Sequence, residues 1–124
     1  MATSFSGPRS PVSTERDGNR VFRILVVEDQ SSLGLMLVYN LQADGYLAEH
    51  VACADAAERH LAITPTDLII LDWMLPSKSG LEFCQQLRAE EVTRDIPIIM
   101  LYPDSLRGRK NRLPSNEKSI RLEA

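Results

Sequence analysis

Two short apolar runs each end in acid: Arg23-Ile24-Leu25-Val26-Val27 leads into Glu28-Asp29, and Asp67-Leu68-Ile69-Ile70-Leu71 leads into Asp72. A third such run covers Ile96–Leu101. Continuous apolar runs of this length fit strands covered on both faces, as in parallel sheets. The pattern predicts strands at about Val21–Val27, Leu68–Leu71 and Ile96–Leu101, with a modest fourth strand at Tyr46–Val51. Between them the spacing turns helical. Leu33, Met36/Leu37 and Asn40/Leu41 follow the N-cap chemistry of Ser31-Ser32 and stop at Gly45. A second helix over Asp55–Ile63 carries Ala56, Ala57, His60 and Leu61 and closes at Thr64-Pro65. A third opens at Ser79 or Gly80 and runs to about Glu90, with Leu81, Phe83/Cys84 and Leu87 facing inward. Strands and helices alternating with short connections predict an α/β fold: a doubly wound parallel sheet with right-handed crossovers and helices on both faces.

In such a sheet the carboxyl ends of the strands share one edge, and ligands bind in the crevice outside it. Glu28, Asp29 and Asp72 therefore converge on one rim. Three carboxylates there repel one another unless a hard, oxygen-preferring cation joins them, and Mg²⁺ is the natural occupant. Taken alone, Glu28-Asp29 after a strand reads as a solvated turn and Asp72 as a helix cap. Together the metal reading outweighs both, because Pro76 and Gly80 mark an extended loop after Asp72.

The ends of the chain differ from its middle. At 124 residues there is room for one domain. Residues 1–20 are rich in Ser, Thr, Pro, Gly and charge and read as a disordered leader. Residues 1–101 carry 8 Lys+Arg against 14 Asp+Glu, whereas residues 102–124 carry 6 against 3. That basic tail holds Pro103, Pro114 and the run Arg107-Gly108-Arg109-Lys110-Asn111-Arg112, offers no strand-like run, and reads as disordered. A short, marginal helix over Glu117–Glu123 is the most it suggests. The basic run has no aromatic residues among it, so a solvated stretch outweighs a nucleic-acid contact, and no direct nucleic-acid binding is expected. Cys53 and Cys84 lack metal or redox spacing and suit a reducing compartment. No signal peptide or membrane-length run is visible, so a cytoplasmic protein without membrane contact is expected. His50 and His60 are isolated and read as surface or helix-packing residues. Trp73 reads as a partly exposed neighbour of the site.

These residues carry a resemblance. Ile24-Leu25-Val26-Val27-Glu28-Asp29, then Leu68-Ile69-Ile70-Leu71-Asp72-Trp73-Met74-Leu75-Pro76 with Ser79-Gly80, then Ile96-Pro97-Ile98-Ile99-Met100-Leu101 resemble the receiver domain of two-component response regulators. The wording, including Tyr39-Asn40-Leu41 and Gly45-Tyr46, is similar to the phosphate-regulon type of transcriptional regulator, a winged-helix protein. The resemblance covers residues 22–101. It implies a flavodoxin-like sheet of order 2-1-3-4, with the family's fifth strand and last helices missing. It implies Asp72 as phosphoacceptor, with Glu28, Asp29, Asp72 and the backbone carbonyl of Met74 as Mg²⁺ ligands. The phosphodonor would be a sensor histidine kinase, and the chain itself no enzyme beyond slow autodephosphorylation.

Two family residues have no match. Tyr102 stands where the family has Thr or Ser, and no lysine follows a fifth apolar strand. The expectation is a truncated receiver over residues 21–101 without a DNA-binding domain, its fourth strand left as an uncovered edge and its first helix without a neighbour. The family's dimer face, built on the missing elements, is not expected, and the oligomeric state stays open. Three alternatives compete: the non-functional product of a disrupted gene, an aspartyl-phosphate-type metal-dependent phosphatase, and a nucleotide- or flavin-binding domain. The phosphatase wants an Asp two residues after its nucleophile, where Met74 stands. The nucleotide domain wants glycine in the turn Glu28–Ser32, which is acidic.

Overall fold

The period-two alternation of side chains along the strands decides which helix packs on which face. The computed structural model describes residues 15–16, 19–103 and 118–123. Its elements are β1 (Glu15–Arg16), β2 (Asn19–Arg20), β3 (Arg23–Val27), α1 (Ser31–Ala43), β4 (Leu47–Val51), α2 (Ala54–Ile63), β5 (Leu68–Asp72), α3 (Gly80–Ala89), β6 (Ile98–Pro103) and β7 (Lys118–Glu123). The main sheet has the order β4-β3-β5-β6-β7. Its first four strands are mutually parallel. The expected order 2-1-3-4 with three helices is therefore the framework of the molecule.

Odd-numbered strand residues Leu25, Val27, Ile69 and Leu71, with Ile98 and Met100, pack under Ala54, Ala57 and Leu61 of α2 and Phe83, Cys84 and Leu87 of α3. The intervening residues Ile24, Val26, Ala48, Ile70 and Leu101 turn to the other face, against Leu37, Val38 and Leu41 of α1. Two helices cover one face and a single helix the other. On α1 this leaves Leu35, Met36 and Tyr39 exposed. Met36, which matched the helical spacing, thus lies outside the core, because the strip facing the sheet is only as wide as Leu37, Val38 and Leu41. Leu81 likewise faces outward, the buried stripe of α3 being Gly80, Phe83, Cys84 and Leu87.

The helix ends follow local chemistry. At the end of α1 the Tyr46 N–H donates to Leu41 O at 3.1 Å and the Gly45 N–H to Gln42 O at 3.0 Å. This is a Schellman closure, and Gly45 takes the required left-handed backbone with φ 99°. Ser79 caps α3 in a full capping box with Glu82. The α1 N-cap is Gln30, not the expected Ser31-Ser32, and no side chain caps that helix.

Four expectations are corrected at the ends of the chain. The tail after Leu101 contains strand structure: β6 runs on through Tyr102 and Pro103, and Lys118–Glu123 pairs with it antiparallel, Leu101 opposite Ile120 and Pro103 opposite Lys118. The stretch read as a marginal helix is thus a strand. Its alternation of Ile120 and Leu122 with Arg121 and Glu123 has period two, and Ile120 and Leu122 fall opposite Leu101 and Ile99. The edge of β6 is consequently paired, and Ile98 and Met100 are fully buried. Within the leader, Glu15–Arg16 pairs antiparallel with Asn19–Arg20 around the sequence Asp17-Gly18, a dipeptide favoured in two-residue hairpin loops. The rest of the disorder expected over residues 1–20 and 102–124 falls on 1–14, 17–18, 104–117 and 124, outside the described residues.

Two outcomes follow for stability. Phe83→Ala, which empties the largest fully buried side chain, lowers the unfolding free energy in urea by about 3–5 kcal/mol. Removing residues 118–124 bares the N–H and C=O groups of β6, and sedimentation velocity then shows self-association that grows with concentration beyond that of the intact chain.

Candidate phosphoacceptor and metal site

The rim gathers its acids because β3 and β5 are adjacent and parallel, Val27 lying opposite Leu71. The stretches Ile24–Val27 and Leu68–Leu71 are apolar throughout, and each is followed by a carboxylate. Glu28 is fully buried, Asp72 is 3% exposed, and Asp29 is open to solvent. One carboxylate oxygen from each lies within 4.8 Å of the others. The three acids predicted to converge are brought together.

The fit to a hard divalent cation is chemical. The donors are all oxygen and all anionic, the preference of Mg²⁺. Oxygens around an octahedral Mg²⁺ at about 2.1 Å stand about 3–4 Å apart, so the observed separation needs only a small inward movement. An exposed Asp29 leaves one side of the site open to water, which Mg²⁺ retains as ligands. Met74 sits two residues beyond Asp72 and forms an isolated antiparallel bridge with Ser79. Its thioether is too soft for such a cation, so only its backbone carbonyl suits a ligand role.

Neighbouring groups fix the geometry of the loops. The Trp73 N–H donates to Leu101 O at 2.9 Å, and the Gly80 N–H to Trp73 O at 2.6 Å. A Cβ at Gly80 would overlap the Asp72 carbonyl oxygen, so the start of α3 approaches the acceptor strand as only glycine permits. Glu28 is tied at three points: its N–H donates to Val51 O at 3.0 Å, its Oε2 accepts from the Gln30 N–H at 3.1 Å, and its carbonyl lies 2.7 Å from His50 Nε2.

Reading the sequence missed His50. Its position in a modest strand carries no motif, and the only signal was a glycine inside α1, Gly34, whose Cα side receives the imidazole. His60 lies 3.3 Å from Glu49, in the middle of β4. Trp73 is half-buried as expected, and its ring lies 6.4 Å from that of Tyr102, tilted by 36°. Tyr102, where a small hydroxyl residue was expected, is packed against the core beneath α2 and α3.

Known proteins resemble this chain in sequence and fold. Over 79 residues the chain is 47% identical to the phosphate regulon transcriptional regulatory protein PhoB of Rhizobium meliloti, covering 64% of this chain and 35% of that protein. The PhoB protein of Escherichia coli K12 is 43% identical over 79 residues, 64% of this chain and 34% of that protein. The chain thus spans about a third of the length of these regulators. The structure of the chemotaxis response regulator CheY4 of Vibrio cholerae superposes with a TM-score of 0.65 at 29% identity, over 68% of this chain and 71% of that one. No helix among the described residues is long and apolar enough to cross a membrane. Residues 24–105 match the family profile described as the response regulator receiver domain, and with the acids of β3 and β5 meeting at its rim the chain belongs to that family of two-component phosphoacceptors.

Proposed function

We propose that Asp72 accepts a phosphoryl group from the phosphohistidine of a sensor histidine kinase, with Mg²⁺ held by Glu28, Asp29, Asp72 and the Met74 carbonyl. The observation that carries this reading is the meeting of three carboxylates within 4.8 Å at the carboxyl edge of a parallel sheet. Mg²⁺, when bound, would supply positive charge to the carboxylates and to the incoming phosphoryl oxygens.

The chain's own contribution is position. Asp72 sits at the end of β5 with its backbone locked between β6 and the first turn of α3. One Oδ of Asp72 forms the new P–O bond as the P–N bond to the kinase histidine breaks, and the histidine nitrogen keeps the bonding pair. Such transfers ask little of a protein beyond alignment and charge compensation. Glu28, buried beside the acceptor, keeps its carboxylate directed by the Gln30 N–H. Tyr102 sets its ring against Trp73 and leaves the acceptor without the small hydroxyl of the family pattern. The regulators it resembles act on transcription by name. In that setting this chain corresponds to the receiver portion of such a regulator without its DNA-binding domain.

Two measurements test the reading. Incubation with Mg²⁺ and a small phosphodonor such as acetyl phosphate adds one phosphoryl mass that is lost in base, and Asp72→Asn adds none. No mass gain by the unsubstituted, folded chain defeats the proposal. In the absence of divalent cations, Asp72→Asn stabilises the chain by about 1–3 kcal/mol, since one of three crowded charges is gone. Adding Mg²⁺ raises the melting temperature of the unsubstituted chain and leaves that of Asp72→Asn nearly unchanged.

A further inference from the structure

His50 and Gly34 close a ring of contacts around the Glu28–Asp29 peptide. His50 lies opposite Val26 in the β3–β4 ladder, on the strand next to the acidic one. Its Nε2 is 2.7 Å from the Glu28 carbonyl oxygen. A carbonyl only accepts, so Nε2 carries a proton and donates. The Glu28 carboxylate accepts from the Gln30 N–H at 3.1 Å, and Gln30 O accepts from the Gly34 N–H at 2.9 Å. Gly34 returns to His50, because the imidazole occupies the space where a Cβ on Gly34 would stand. Glycine inside a helix is ordinarily destabilising, and here the seat it leaves for the ring accounts for it.

We infer that His50 is a positioning residue: seated on Gly34, it holds the Glu28–Asp29 peptide in the orientation that aims both acids at the metal. The inference rests on the metal reading above and extends it to residues outside the carboxylate cluster. The carbonyl that His50 grips belongs to the peptide unit whose nitrogen is that of Asp29. Rotation of this unit would swing Asp29 away from Glu28 and Asp72. Glu28 N–H is already fixed by Val51 O, so His50 restrains the remaining rotation on the carboxyl side. Partners of this kind, which orient a metal's ligands without touching the metal, typically change metal affinity by about 10–100-fold when removed.

The test is a Mg²⁺ titration followed by the fluorescence of Trp73, the single tryptophan, which adjoins Asp72. Urea denaturation of each variant runs alongside. His50→Ala and Gly34→Ala are each expected to weaken Mg²⁺ binding about tenfold, the second because its methyl group evicts the imidazole. The double variant His50→Ala/Gly34→Ala binds no more weakly than His50→Ala alone, since the methyl then meets empty space. His50→Gln, which keeps an N–H donor, stays within about threefold of the unsubstituted chain. Where Gly34→Ala fails to unfold cooperatively, the comparison of His50→Gln with His50→Ala decides. Unchanged affinity in His50→Ala, or losses that multiply in the double variant, overturns the inference while leaving the metal site intact. A folded, unsubstituted chain with no Mg²⁺ response overturns the metal reading and this inference together.

Discussion

Mutual repulsion of three carboxylates, forced together by the pairing of two apolar strands, is the constraint around which this molecule is arranged. The strands cannot separate without exposing Leu25, Val27, Ile69 and Leu71, all fully buried. Each such side chain contributes about 1.5–3 kcal/mol by its burial, so hydrophobic packing holds the acids in proximity against their repulsion. The result is a rim on which three carboxylates lie within 4.8 Å of one another. In the proposed function, a bound cation would lower the energy of an arrangement the fold has already imposed.

The supports of that rim come from every direction. β6 fixes the exit of β5 through the Trp73 N–H, and the first turn of α3 presses against the Asp72 carbonyl through Gly80. On the other side β4 holds Glu28 through Val51 and His50. Site and core therefore depend on one another. The residues that carry charge are few, and those that fix its position are spread over β4, β6, α1 and α3.

The parallel framework is legible in the sequence because uninterrupted apolar runs ending in acid suit few arrangements besides a sheet covered on both faces. Glu28, Asp29 and Asp72 could be chosen from that pattern alone, and the structure brings the three together. The parts that stayed illegible depend on tertiary partners. Lys118–Glu123 is too short and too charged to declare itself a strand, and its alternation gains meaning only beside the open edge of β6. His50 looks like any isolated histidine until Gly34, sixteen positions earlier, is seen to leave room for its ring. Met36 and Leu81 matched helical spacing yet face outward, because the sheet beneath each helix covers a narrower strip than the apolar residues offer.

The order of the strands also grades how readily different parts of the sheet open. β3 and β5 lie inside it, with hydrogen-bonded neighbours on both flanks, whereas β4 and β7 form its borders. Local opening in folded proteins begins where backbone bonds are least protected and reaches central strands only near global unfolding. Fraying at β7 would thus loosen the border of the sheet while leaving Glu28 and Asp72 in register. The acids ride on the two strands whose amides exchange with solvent most slowly, so the acidic rim persists through the breathing of its own periphery.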